Sequence, residues 1–576
     1  MSAHRQLYSM VIWLFGLVMA CSSFAVPAAW AQQAPSQPTE ATGRQWMVAT
    51  VHPLATEAGL RAFDRGGNAV DAAIAAALTL GVVDGFNSGI GGGCFILIRA
   101  ADGRMVAIDG RECAPLAAHR DMYLRDGVPD TRLSQHGPLA VATPGALAAY
   151  AEAVQELGKC DLKSLLLDAA DTAAQGFVIS PLYARLIFSE QREFKRWEAC
   201  RQIFLHADGS PKLAGETLVQ ADLANTYRQI ADHGCDWFYQ GPFAEATAQW
   251  MAAHGGLLTQ DDFAQYRTVR RKPLMTTYRD FQIVGFPPPS SGGVHVAQIL
   301  NVLEHFDLAA MYRHSPVDAA HVMVESMKLA FADRAFWLGD PAFTDVPRGL
   351  IDRSYAASLA ARIDPQRAIE VSQPGNPLEF DSRYFDKHTT HIAAADAEGN
   401  WVAITTTVNT SFGSKVIIPG TGVVLNNQMD DFAIAPGIPN AFGLVGSDAN
   451  CVEPGKRPLS SMSPTIVLRD DQPVMTIGAA GGPRIITQVL LGLVRHLDFG
   501  LPLNQSLSDA RFHQQWSPPQ VFVERGMNPS IVNGLRDRGH QVEWTATAGI
   551  TQAIVWRDGQ FIGVADPRAG GQAAGR

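Results

Sequence analysis

Residues 391–409 read HIAAADAEGNWVAITTTVN, two apolar runs on either side of a Gly-Asn turn. That composition predicts a β-hairpin. The same grammar recurs at Phe95 to Arg99 and Met105 to Asp109, joined through Asp102-Gly103. It returns again at 464–478 (PTIVLRDDQPVMTIG) and 550–568 (ITQAIVWRDGQFIGVADPR). Four hairpins spread over both halves of the chain predict antiparallel sheet throughout. Ahead of them, Asn68 to Val83 reads as a helix capped by Asn68 with Asp71 at the third position, apolar all round and therefore buried. Further helices are expected over Val317 to Leu338 and Ile485 to Leu497, with an Ala-rich helical stretch over about 150–280. Hairpins buried on both faces and covered by Ala-rich helices imply an α+β fold layered αββα, not a wound βαβ sheet.

The whole-chain numbers agree with a large globular protein. Of 576 residues, 47% are hydrophobic and 18% charged, which excludes disordered, collagenous and polytopic membrane classes. Lys+Arg number 46 against Asp+Glu 56, a net charge of −10, so the basic excess that neutralises phosphates is missing and nucleic acid is not an expected partner. His4 and Arg5 precede the apolar run Met10 to Cys21, and small residues lead on to Ala29-Trp30-Ala31. This is the pattern of a secretory signal over residues 1–31, its apolar run short of the roughly 20 residues that span a bilayer. An exported protein, periplasmic or secreted and without a membrane association once the signal is removed, is expected. Cys94, Cys113, Cys160, Cys200, Cys235 and Cys451 follow it, none in a C-x-x-C pair, and no H-E-x-x-H occurs. No metal site and no cofactor are expected.

The glycine-rich loop GFNSGIGGGC at 85–94 lacks the spacing of a nucleotide loop and feeds a strand where a phosphate loop would feed a helix. No G-x-S-x-G elbow is present. Residues 364–388 are polar and punctuated by Pro and Gly, a surface loop or a processing site, and lead directly to Thr389-Thr-His391. A threonine pair at a strand start ordinarily reflects β propensity. Cleavage between His388 and Thr389 would make the threonine its own general base, because the freed α-amine has a pKa near 8. Gly478-Ala-Ala-Gly481-Gly482-Pro483-Arg484 ends a strand and opens a helix, so the N–H groups of Gly481 and Gly482 are placed to face an oxyanion, although a tight strand-to-helix turn reads the same way. Asn426 to Asp431 and Arg457 to Pro464 gather small donors and acids in expected loops.

Taken together, Thr389-Thr-His391, Asn426-Asn-Gln-Met-Asp-Asp-Phe432, Lys456 to Pro464, Gly481-Gly482 and Asp566-Pro-Arg568 resemble the small subunit of a γ-glutamyltranspeptidase. Asp109-Gly-Arg-Glu-Cys-Ala-Pro115, Pro287 to Gly293 and Gly339-Asp-Pro341 resemble the large subunit. The resemblance implies an N-terminal nucleophile hydrolase fold, an αββα four-layer sandwich made as a precursor that cuts itself. Residues 32–388 would form the large and 389–576 the small subunit, a heterodimer of the chain's own fragments. By position, Thr389 would be the nucleophile, Thr407 its hydrogen-bonding partner, and Gly481 and Gly482 the oxyanion donors. Arg111, Ser460 and Ser461 would hold the α-carboxylate of a γ-glutamyl group, and Asp431 with Asn409 and Gln428 its α-ammonium. The implied reaction passes through a γ-glutamyl-threonine ester, from glutathione or a related donor to water, an amino acid or a short peptide. Pro439 to Asn450 resembles a lid over the glutamyl pocket. Two other readings stand beside this one: an acylase of the same fold acting on glutaryl or β-lactam side chains, and a non-catalytic exported binding protein.

Overall fold

Side-chain alternation along the strand that opens at His391 sets the layers. The structure, a computed structural model, describes residues 39–377 and 390–576. The expected signal segment and the pair His388 and Thr389 lie outside the described residues. Fourteen strands build the two large sheets: β1 (Glu40–Gly43), β2 (Trp46–Thr50), β3 (Gly93–Arg99), β4 (Met105–Gly110), β5 (Val269–Arg271), β6 (Leu274–Tyr278), β7 (Phe281–Gly285), β8 (His391–Asp396), β9 (Trp401–Thr407), β10 (Thr465–Arg469), β11 (Gln472–Ala480), β12 (Ile550–Arg557), β13 (Gln560–Ala565) and β14 (Gln572–Gly575). One sheet is ordered β14-β2-β8-β9-β3-β4-β5 and the other β1-β13-β12-β11-β10-β7-β6, every neighbouring pair antiparallel. All four expected hairpins are present, as β3–β4, β8–β9, β10–β11 and β12–β13.

Along β8, Ala393 and Ala395 face the second sheet. With Ala403, Phe95, Leu97 and Trp401 they meet Val284, Phe286, Ile466, Ile554 and Phe561 in a core between the sheets. The intervening residues Ile392 and Ala394 turn the other way and join Ile96, Ile98, Val402 and Ile404 under a helical layer. Period-two alternation with both faces apolar leaves each sheet no wet face. The helical layer on this side includes α1 (Pro53–Asp64), α2 (Ala69–Val83), α3 (Ala146–Leu157), α4 (Leu162–Gln175) and α5 (Ala221–His233). On the far side, α6 (Ser291–Leu303), α7 (Pro316–Trp337) and α8 (Arg484–Leu493) cover Val467, Met475, Ile477, Val555 and Val564. The order is therefore αββα.

Every residue of α2 is buried, and its capping box forms as expected, with the Asn68 side chain accepting from the Val70 and Asp71 N–H groups and Asp71 accepting from Asn68. The helix expected at 485–497 differs at both ends. Pro483 is the cap residue and the α-helix starts at Arg484, one residue early, then closes at Leu493 into a π-helical turn over Val494–Asp498. The six cysteines among the described residues are free. No helix among the described residues is long and apolar enough to cross a membrane.

Candidate active site

The end of β9 is held by the glycine loop. A Cβ at Gly92 would overlap the Thr407 carbonyl oxygen, and one at Gly91 would overlap that of Val424. These glycines permit backbone-to-backbone approach, which explains their number without a phosphate. Gly93 already lies in β3 beside Thr407, so the loop feeds a strand as the sequence indicates. Thr390 is the first described residue after the expected cleavage point; its carbonyl accepts from Thr406 N at 2.6 Å and its hydroxyl lies 3.5 Å from Asp84 Oδ2. Burial pushes the Asp84 carboxyl up to about 7, against the bonds from Asn87 and Thr390.

From Thr407 a continuous series of contacts runs to the acids. Thr407 Oγ1 accepts from Asn409 N at 2.7 Å, and Asn409 adopts φ +82°. Its Nδ2 donates to Asn427 O at 3.0 Å. Asn426 braces the next turn, donating to Gly91 O and Ala142 O while its own Oδ1 accepts from Gln428 N. Gln428 Nε2 then donates to Asp431 Oδ2 at 2.7 Å, and Arg111 Nη2 donates to the same oxygen at 2.6 Å. Arg111, Glu112 and Gln428 are at 0% exposure and Asp431 at 2%.

Arg111 is positioned from three sides: Nη1 meets Glu112 Oε2 at 3.2 Å, Nε meets Pro458 O at 3.3 Å, and its own carbonyl takes Arg457 Nη1 at 2.8 Å. Burial pushes Glu112 up to about 7, with Arg111 opposing and Asp431 adding to the rise. Behind them Asp109 accepts from Arg457 and Arg271; burial, which would raise its pKa, is outweighed by these two cations.

Ser460 and Ser461 join the same cluster through Asn450, which donates to Asp431 O at 2.7 Å and accepts from Leu459 N at 2.9 Å. Ser460 Oγ accepts from Met462 N at 3.3 Å and Ser461 Oγ from Arg334 Nη2 at 3.4 Å. Among the described residues neither serine passes its hydroxyl proton to a protein acceptor, so both protons remain for an anion.

Gly481 and Gly482 close β11 with φ +136° and +60°. Among the described residues, neither N–H is taken by a protein acceptor. Two features hold this turn. A Cβ at Gly482 would lie 2.9 Å from the Phe442 ring. On the other side Gln488 Nε2 donates to Ala480 O at 3.3 Å, while its Oε1 accepts from Arg511, which pairs with Asp566 at 2.6 Å. The Asp566-Pro-Arg568 motif thus supports the turn from behind. The stretch resembling a lid spans these two regions: Ala441 N donates to Asp430 Oδ2 at 2.9 Å, Phe442 covers Gly482, and Asp448 pairs with Arg120.

The structure thus draws Arg111, Asn409, Gln428, Asp431, Ser460, Ser461 and Thr407 into one hydrogen-bonded neighbourhood and links Gly481-Gly482 to it through Phe442 and Asp430. Thr389 and His388 fall outside the described residues. Sequence reading missed Arg334, a buried cation on α7, and Glu112. Arg334 sits in the last turn of a helix that also carries Asp318, Glu325, Lys328 and Asp333, so no local signal sets it apart.

A family model described as Gamma-glutamyltranspeptidase matches residues 55–576. A glutathione hydrolase proenzyme of Escherichia coli (strain K12) is 43% identical over 532 residues, covering 91% of each chain. Among solved structures, a cephalosporin acylase from Bacillus halodurans superposes with TM-score 0.84 at 29% identity, over 95% of this chain and 98% of that one. A γ-glutamyltranspeptidase from Helicobacter pylori is 38% identical with TM-score 0.55, over 56% of this chain and 93% of that one. The fold is that of the N-terminal nucleophile hydrolases, and the chain belongs to the γ-glutamyltranspeptidase family.

Proposed function

We propose that the chain hydrolyses glutathione and transfers its γ-glutamyl group, working from a proenzyme that processes itself. The observation that carries this reading is the buried pairing of Arg111 with Asp431, flanked by Gln428, Ser460 and Ser461. An amino-acid end presents a carboxylate and an ammonium side by side. Its entry exchanges one internal ion pair for two external ones, the carboxylate on the planar fork of Arg111 and the ammonium on Asp431. An acyl group lacking the ammonium leaves Asp431 without its new partner, which favours γ-glutamyl over glutaryl donors.

Processing between His388 and Thr389 frees the Thr389 amine. The hydroxyl oxygen attacks the γ-carbonyl while its proton passes to that amine; the C–N bond breaks, and the proton goes on to the departing amine. The tetrahedral oxyanion is held by the N–H groups of Gly481 and Gly482. Water then opens the ester to give glutamate, or an amino acid or short peptide takes the γ-glutamyl group. Thr407, whose Oγ1 accepts from Asn409 N, is the hydrogen-bonding partner of the freed Thr389 in this reading. Residues 1–31 direct export to the periplasm or the medium, and the working enzyme is the pair 32–388 and 389–576.

Intact mass and N-terminal sequencing of wild type and Thr389→Ala test this reading. Wild type is expected as two fragments, the smaller beginning at Thr389, and the variant as one uncut chain without γ-glutamyl turnover. A wild type that stays uncut, or a variant that is cut at the same bond, overturns the mechanism.

A further inference from the structure

Arg334 lies on α7, at 2% exposure, and among the described residues it makes no ion pair. The other arginines buried around the site are compensated: Arg111 by Glu112 and Asp431, Arg457 and Arg271 by Asp109. Arg495, also buried and among the described residues without an acid partner within salt-bridge reach, fills its fork with the carbonyls of Ser506, Asp509 and Ala510. Arg334 instead donates to two hydroxyls, from Nε to Ser291 Oγ at 3.1 Å and from Nη2 to Ser461 Oγ at 3.4 Å. Burial pushes its pKa down to about 10, and Asp431 is close enough to draw it back up. A buried cation facing hydroxyls alone is an electrostatic cost that an anion at this place would relieve.

The direction of the two hydrogen bonds adds a second constraint. A guanidinium has no acceptor, so both serine oxygens must accept from it, and each hydroxyl proton must point elsewhere. Ser291 sends its proton to the Ser460 carbonyl, which also takes Ser291 N at 3.0 Å. That anchors the Ser460-Ser461 backbone to the start of α6. Ser461 has no such acceptor among the described residues, so its proton is available to a bound anion.

We propose that Arg334 is a positioning residue for the α-carboxylate of the γ-glutamyl donor, aiming the Ser461 hydroxyl at it and supplying the uncompensated positive charge that makes this subsite select an anion. Arg111 is shared with Glu112 and Asp431, whereas Arg334 brings a cation that has no ion-pair partner among the described residues. The inference rests on the γ-glutamyl reading above.

The test compares L-γ-glutamyl-p-nitroanilide with 4-aminobutanoyl-p-nitroanilide, the same donor without its α-carboxylate, on processed wild type, Arg334→Gln and Arg334→Lys. Arg334→Gln is expected to raise KM for the γ-glutamyl anilide by about 30-fold or more with kcat within about 3-fold, the size of a lost charge-assisted contact. Its preference for the carboxylate-bearing anilide should collapse by the same factor. Arg334→Lys, which keeps the charge but not the fork, should fall between. A fall in kcat with KM unchanged, or an equal loss on both anilides, overturns the proposal. Failure of both variants to fold, read by circular dichroism, also overturns it, by assigning Arg334 to the fold. A processed wild type inactive on the γ-glutamyl anilide would instead break the γ-glutamyl reading itself.

Discussion

In the proposed function, Asp431 is the residue that chooses between two related chemistries. Its Oδ2 receives both Arg111 and Gln428 inside a fully buried cluster. Replacing it with Asn keeps the shape and removes the charge that an α-ammonium needs. Asp431→Asn is expected to lower kcat/KM on γ-glutamyl-p-nitroanilide by about 10²-fold, the scale of truncating one partner of a buried charge pair. Turnover of a glutaryl anilide should fall by less than about 10-fold. Equal losses on the two substrates would remove Asp431 from donor selection. At this scale much of the site was legible in the sequence, because Arg111, Gln428, Asp431 and the Ser460-Ser461 pair sit in short ordered motifs. Arg334 was not, since nothing local distinguishes a helical arginine that reaches solvent from one whose fork meets Ser291 and Ser461 at the end of a different helix and loop.

Glycines govern the elements that carry the site. At Gly92 the backbone of the loop rests directly on Thr407, leaving no room for a methyl group. Gly92→Ala must therefore displace either the loop or the end of β9, an overpacking cost of about 3 kcal/mol or more. The expected result is a thermal midpoint several degrees below wild type together with reduced turnover, followed by calorimetry and steady-state kinetics; a variant with wild-type melting and activity would refute the close approach. The hairpins were readable from turn chemistry and alternation, and α2 from its cap. The ending of α8 was not, because the apolar spacing of Ile485 to Leu497 continues through the π-helical turn that widens the last residues. Side-chain periodicity does not distinguish that turn from one more α-helical turn.

At the scale of the whole molecule, the same burial that builds four layers sets the response to pH. Burial pushes His295, His391, His513 and His540 down to about 3, and His52 and His136 down to about 4. Each stays neutral in the fold while the unfolded chain takes up a proton below about pH 6.5, at about 1.4 kcal/mol per pH unit for each unmatched proton. Asp84 and Glu112, raised to about 7, act with the opposite sign, since the folded state takes up their protons first. Six histidines against these two carboxyls make the unfolded chain the greater proton binder, so stability falls as pH drops from 6.5 to 5. Differential scanning calorimetry across that window should show a falling thermal midpoint; a rising one would contradict the burial of these imidazoles. The sheets carry a further consequence. Strands from before residue 377 and after residue 390 are neighbours in both of them, β2 beside β8 and β14 in one, β1 beside β13 and β7 beside β10 in the other. Neither fragment of the proposed cut owns a complete sheet or a core of its own. Processing therefore converts one chain into two that must find each other, so recovery after denaturation becomes a second-order event. The mature enzyme's persistence is then a matter of how slowly it opens, because dilution alone opposes its return.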